Sequence, residues 1–156
     1  MEINWLQIGS HLLHLLVAFL LALPIGWDRE QSARSAGLRT FPLVAIGSCA
    51  FVLIGRDVLG PDPQAQARII EGLMTGIGFI GGGAILKSRA SVHGTATAAS
   101  IWNTGAVGAA VAYDLVEIAL VLALINFATL RWLGNFKPRI LPSDGGRVDH
   151  DPPLRS

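Results

Sequence analysis

Five stretches of the chain are apolar for long enough to form helices, and short polar clusters separate them. They cover residues 5–25, 40–55, 69–86, 95–113 and 115–133. A helix needs about 20 apolar residues to cross a bilayer. The second stretch falls short of that and must rely on Arg39 and Arg56 reaching outward from its ends. The pattern predicts an all-α polytopic membrane bundle of five transmembrane helices, with loops at residues 27–40, 56–67 and 88–94.

The third stretch, IIEGLMTGIGFIGGGAIL, is the most unusual. Gly72, Gly76, Gly78, Gly81, Gly82 and Gly83 replace large side chains in it, and Glu71 is its one charge. In water each glycine would weaken a helix by about 1 kcal/mol relative to alanine. In lipid, small residues four apart let helix backbones approach and gain contacts that lipid tails do not supply. Gly72 with Gly76, and Gly78 with Gly82, have that spacing. Glu71, Thr75, Gly78 and Gly82 share one helical stripe, which is expected to look inward and make this helix the organising element. The fourth stretch, rich in Ala, Gly, Ser and Thr, is expected to pack closely against it, and the fifth to meet lipid on most sides.

The glycines also imitate a nucleotide site. Gly76-x-Gly78-x-x-Gly81 matches a dinucleotide fingerprint, but that motif works only between a strand and a helix of a βαβ unit. GGGAILKS fails as a phosphate loop because Leu86 stands where the second glycine is needed. No hydrolase elbow or zinc-ligand cluster is present either, so neither an enzyme nor a cofactor is expected.

Composition agrees with this reading. In 156 residues, 51% are hydrophobic and 15% charged, with a mean hydropathy of +0.51, outside the range of soluble globular domains. A net charge of +1 gives no basis for a nucleic-acid partner. The lone Cys49 is read as a small buried side chain. The first stretch is read as a retained helix, because Glu2 replaces the basic start of a secretory signal and no small-residue cleavage site precedes Trp27. Lys and Arg are retained on the cytoplasmic side. Five spans would place Arg29, Arg34, Arg39, Lys87, Arg89 and all basic residues from Arg131 onward on one side, leaving Arg56 and Arg68 on the other. The expected orientation is N-terminus out and C-terminus in, with residues 138–156 a disordered cytoplasmic tail.

Polar groups beside or within the helices are the candidate functional residues. Asp28, Arg29, Glu30 and Arg39 fall at one mouth of the bundle, either as a surface ion-pair cluster or as an ion or partner site. Asp28 and Glu30 are the only carboxylate pair there suited to magnesium, and nearby arginines oppose it, so no metal site is assigned. Glu71 is expected to cap its helix from the first turn, with ion passage as the alternative. Trp102 is read as packing or interfacial anchoring, Asn103 and Thr104 as bonding a neighbouring helix, and His11 and His14 as packed or interfacial histidines. Gly37-x-x-Thr40 and Gly94-x-x-Thr97 form a faint echo at the starts of helices two and four, which adds Thr40 and Thr97 as candidates.

Taken together, GWDRE at residues 26–30, AGLRTFPLVA at 36–45, TGIGFIGGGAI at 75–85 and GTATAASIW at 94–102 resemble the transmembrane domain of the bacterial MgtC/SapB family. The resemblance covers residues 15–131. It implies a multi-pass protein of the bacterial inner membrane linked to magnesium-limited growth, intracellular survival of pathogens and control of other membrane machines. Many members carry a soluble C-terminal domain, for which the residues after the fifth helix are expected to be too few. Asp28 stands where Glu is usual, Gly72 where many members have Gln, Ala96 where some have Asn or Thr, and Asn103 where an apolar residue is commoner. Two functions fit: a regulator that contacts the lipid bilayer and a membrane-protein partner through glycine-rich faces, or a small ion or solute transporter working as a homo-oligomer.

Overall fold

The computed structural model describes residues 4–31, 36–87 and 91–133. It is all-helical apart from one minimal hairpin. The helices are α1 (Trp5–Gln31), α2 (Thr40–Leu59), α3 (Pro63–Gly83), α4 (Thr95–Ala112) and α5 (Val116–Trp132). Between α3 and α4, β1 (Leu86–Lys87) pairs antiparallel with β2 (Val92–His93), with Leu86 opposite His93. Two helices, α1 and α2, are long and apolar enough to cross a membrane, with mean hydropathies of 2.1 and 1.7. Arg34, Arg89 and the tail beyond residue 133 lie outside the described residues.

Several boundaries differ from expectation. α1 continues through Asp28, Arg29 and Glu30, which composition had placed in a loop. α2 runs to Leu59 and α3 begins at Pro63, so only Gly60, Pro61 and Asp62 remain of the expected twelve-residue connection. Asp62 sits before α3 and accepts the Gln64 amide at 2.9 Å, while Pro63 at the first helical position needs no amide partner. Glu71 is therefore not in a first turn and caps nothing. α3 ends at Gly83, three residues earlier than its apolar run, because the chain turns at Ala84 into β1.

The organising helix is α4 rather than α3. It touches all four other helices, and its buried residues, among them Thr97, Ile101, Thr104, Gly105, Gly108 and Val111, cover most of its circumference. The other helices each bury one stripe: Ala18, Ala22, Ile25 and Arg29 on α1, Phe41, Ala45, Ser48 and Val52 on α2, and Ala119, Ala123, Asn126 and Leu130 on α5. Each set follows the i, i+4, i+7, i+11 spacing of one helical face. α3 buries only Ile77 and Gly81.

Small residues on α4 produce this arrangement. A Cβ on Gly108 would run into the Ala45 carbonyl oxygen, and one on Gly105 into the Ile77 side chain. The backbones of α2 and α4 meet because neither helix has bulk there. On α3 the same use is confined to Gly81, where a Cβ would lie 3.0 Å from the Ala98 carbonyl oxygen. Gly72, Gly76, Gly78, Gly82 and Gly83 meet nothing within 4 Å. The stripe Glu71, Thr75, Gly78, Gly82 faces outward, contrary to the sequence expectation.

Outer faces are strongly apolar. Leu12, Leu16 and Leu20 on α1, Leu43, Phe51 and Ile54 on α2, Phe79 and Ile80 on α3, and Leu120, Leu124 and Ile125 on α5 are all exposed. Buried polar groups inside the bundle bond across or along helices. Asn126 Nδ2 donates to the Ser100 carbonyl oxygen at 3.2 Å and to Thr104 Oγ1 at 3.4 Å, and Thr104 Oγ1 donates to the Ser100 carbonyl oxygen at 2.8 Å.

Candidate functional site

The acidic and basic residues after Gly26 form one assembly because Gly37 and Leu38 lie back against the end of α1. Gly26 and Gly37 permit the fold. A Cβ on Gly26 would come 3.1 Å from Leu38 Cα, and one on Gly37 would collide with the Glu30 carboxylate. Glu30 Oε2 accepts the Leu38 amide at 3.0 Å, and the Gly37 carbonyl oxygen accepts the Thr40 amide at 3.0 Å as α2 begins. GWDRE and GLRT are thus two halves of one tight corner.

Beneath this corner Asp28 and Arg29 are buried, at 5% and 7% exposure. Arg29 Nη2 and Nε donate to Asp28 Oδ2 at 2.5 and 3.2 Å. The same Nη2 reaches the Leu130 carbonyl oxygen at 3.5 Å, and Arg131 Nη1 stands 4.0 Å from Asp28 Oδ1. A carboxylate held by two guanidinium groups ties the ends of α1 and α5 together. Its charge is matched by cations from the chain itself, which leaves little to attract a metal ion. Of the four charged residues expected at this mouth, Asp28 and Arg29 are buried and paired, while Glu30 and Arg39 are exposed.

The remaining candidates are dispersed. Arg39 is exposed and Thr40 half-buried at the start of α2. Thr97 is buried in the first turn of α4, whereas Trp102 projects outward at 44% exposure. Asn103 Nδ2 bonds the Leu122 carbonyl oxygen at 3.4 Å, joining α4 to α5 as expected. The echoed glycines do similar work: a Cβ on Gly94, whose φ is +88°, would strike the Ala84 carbonyl, much as one on Gly37 would strike Glu30.

Sequence reasoning passed over a second polar layer at the opposite end. His14 Nε2 lies 2.8 Å from Asp114 Oδ1, and His14 Nδ1 lies 2.7 Å from the Ser10 carbonyl oxygen. Arg56 Nη1 donates to Asp114 Oδ2 at 3.2 Å and to the Ala112 carbonyl oxygen, and its guanidinium lies 5.8 Å from the Tyr113 ring centroid. Tyr113 Oη and Gln66 Oε1 are 2.6 Å apart, and His11 pairs with Asp57 at 3.4 Å. Asp114 turns the chain from α4 into α5 with φ at 61°, a conformation Asp tolerates better than most residues. The hydrogen bonds from His14 first and Arg56 next hold its carboxyl below its ordinary pKa. Only the isolation of Arg56, Asp57 and Asp114 beside apolar runs could have signalled this layer. Among the described residues, no group of three or more His, Cys, Asp or Glu side chains is arranged to hold a metal.

An all-helical bundle with aliphatic outer faces and ionised side chains gathered at its two ends is the architecture of a membrane-associated helical protein. The chain belongs to the MgtC family, whose model matches residues 15–138. It is 36% identical to protein SrpB of Synechococcus elongatus over 86% of this chain and 77% of that one. It is 36% identical to protein MgtC of Salmonella typhimurium over 74% of this chain and 48% of that one. A protein of Escherichia coli named "Putative magnesium transporter YhiD" is 31% identical over 78% of this chain and 60% of its own length. The chain thus spans about half of the Salmonella relative. No solved structure matches it.

Proposed function

We propose that this is a multi-pass protein of the bacterial cytoplasmic membrane that serves magnesium-linked adaptation by binding, through α3, a second copy of itself or another membrane protein. It regulates that partner rather than catalysing a reaction. The magnesium link rests on family membership and on the names of the Salmonella and Escherichia relatives. Five spans are supported by the two polar layers. α5, 17 residues long, separates them by about 25 Å, close to the hydrocarbon thickness of about 30 Å. Arg29, Arg39, Lys87 and Arg131 at one end, against Arg56 and Arg68 at the other, favour placing the first set in the cytoplasm.

The observation that carries the regulatory reading is the outward stripe of α3. Glu71 is exposed there beside Thr75, Gly78 and Gly82, about 7.5 Å along the axis from Gln66 in the polar layer. An ionisable group facing lipid is costly, by roughly 2.5–3.5 kcal/mol at the bilayer centre. Small residues beside it supply a surface another helix can approach closely. A partner helix covering this stripe removes the cost.

Cysteine introduced at Gly78 in a Cys49→Ala background tests the contact. Crosslinking between copies in native membranes, or to one co-purifying membrane protein, is the expected result; a monomer that crosslinks to nothing overturns it. Proteoliposomes containing only this chain are expected to show no magnesium flux. Selective magnesium flux by the wild-type chain would establish the transporter instead.

A further inference from the structure

α2 and α3 leave an open groove of about 870 Å³ between them on the outside of the bundle. It runs the length of α2, from Arg39 and Thr40 to Leu59 and, on α3, Arg68. It differs from the stripe around Glu71, being lined by the adjoining face of α3 through Ile69, Gly72 and Gly76. Its depth comes from glycine, because Gly47 on α2 and Gly72 and Gly76 on α3 face it without any atom within 4 Å of a would-be Cβ. Its walls are otherwise mainly aliphatic, with Phe51 across from the glycines.

The two ends are not equivalent. At one, Arg39 makes no ion pair with any described residue, the nearby Glu30 carboxylate being bonded to the Leu38 amide; Thr40 adds a hydroxyl, and the N-terminus of α2 contributes a positive dipole. At the other, Arg68 has Glu71 three residues along the same helix, so its field is partly offset. A cationic mouth on a long apolar trough matches a molecule with one anionic head and long hydrocarbon tails. The tails of one leaflet cover about 15 Å, half the hydrocarbon core, which reaches from Arg39 past Leu43 and Gly47 toward Gly76.

We infer that the Arg39 half of this groove is a binding site for one anionic phospholipid, its phosphate on Arg39 and Thr40 and its acyl chains over Gly47 and Gly76. The inference rests on the membrane reading above but not on which side Arg39 faces. A transmembrane segment of a second copy fits less well, because the carboxylates it would bring to the Arg39 level, Asp28 and Glu30, are already engaged by Arg29 and by the Leu38 amide.

The test uses the full chain purified in detergent. Phosphatidylglycerol or phosphatidylcholine is titrated against the melting temperature, and retained lipid is counted by native mass spectrometry. One phosphatidylglycerol per chain, with a rise in melting temperature that phosphatidylcholine does not match, is expected. Arg39→Gln should weaken phosphatidylglycerol about fivefold, the effect of one basic residue at a lipid surface worth ~1 kcal/mol. A Cβ at Gly76 has no atom within 4 Å, so the Gly76→Leu side chain extends into the trough; the variant is expected to fold yet lose the lipid. Equal response to both lipids, protection by inorganic phosphate alone, or lipid binding unchanged in Gly76→Leu would overturn the site. So would a crosslink between copies from cysteine at Gly47 in the Cys49→Ala background. Release of the chain from membranes by alkaline washing would instead defeat the underlying membrane reading.

Discussion

At the scale of single residues, glycines that look alike in the sequence have opposite consequences in the structure. Gly108 faces the Ala45 carbonyl directly, whereas Gly78 faces nothing within 4 Å. Gly108→Leu must push α4 off α2 and is expected to cost at least the ~1–3 kcal/mol typical of overpacking, visible as reduced accumulation and a lower melting temperature. Gly78→Leu is expected to fold and accumulate normally and to fail only where a partner must approach. That reverses the expectation from sequence, in which Gly78 holds the interior together. The buried ion pair gives a second contrast. Asp28→Ala leaves Arg29 buried without its carboxylate, and breaking such a pair typically costs ~3–5 kcal/mol. Arg131→Ala, which removes a mostly exposed partner 4.0 Å away, should cost less than 1 kcal/mol. Denaturation of both variants in the same detergent separates the two cases.

At the scale of elements, the helices are legible from apolar run length, and both ends of α2, α4 and α5 fall within about four residues of expectation. Charge and glycine mislead. Asp28, Arg29 and Glu30 read as a loop because isolated charges are costly in hydrocarbon. The pairing of Asp28 with Arg29, and the contact of Arg29 with Leu130 about a hundred residues away, are invisible to any local window. Glycine spacing says that some helix can approach closely, but not whether that helix belongs to the same chain. Spacing alone therefore assigns α3 the centre that α4 occupies, although α4 is just as rich in small residues. Asn126, which bonds α5 to α4, carried no signal beyond being polar in an apolar run.

The turn between α4 and α5 has its own testable property. Asp114 fastens that turn to α1 through His14 and to α2 through Arg56. Because its carboxyl is held below the ordinary value of 3.8, the stability its charge contributes is present above that value and is lost as pH falls through the lower, folded-state pKa. Hydrogen exchange around residues 112–116 should accelerate there. Asp114→Asn keeps a residue tolerant of positive φ while removing the charge, so its exchange should be fast already at neutral pH and nearly independent of acidification. A wild-type-like exchange profile in that variant would show that the ion contacts do not hold the turn.

At the scale of the whole molecule, family membership was legible because its motifs gather at two places that the fold uses intensively: the corner joining α1 to α2, and the glycine-rich end of α3 leading into α4. The dependence of four helices on α4 also sets an order of events during synthesis. On the proposed membrane topology, residues 95–112 leave the ribosome after α1, α2 and α3, so the three earlier helices would reach the bilayer before the helix that all of them pack against. A nascent chain stalled before Thr95 should be recognised by membrane quality-control proteases and cleared, while one stalled beyond Trp132 should persist.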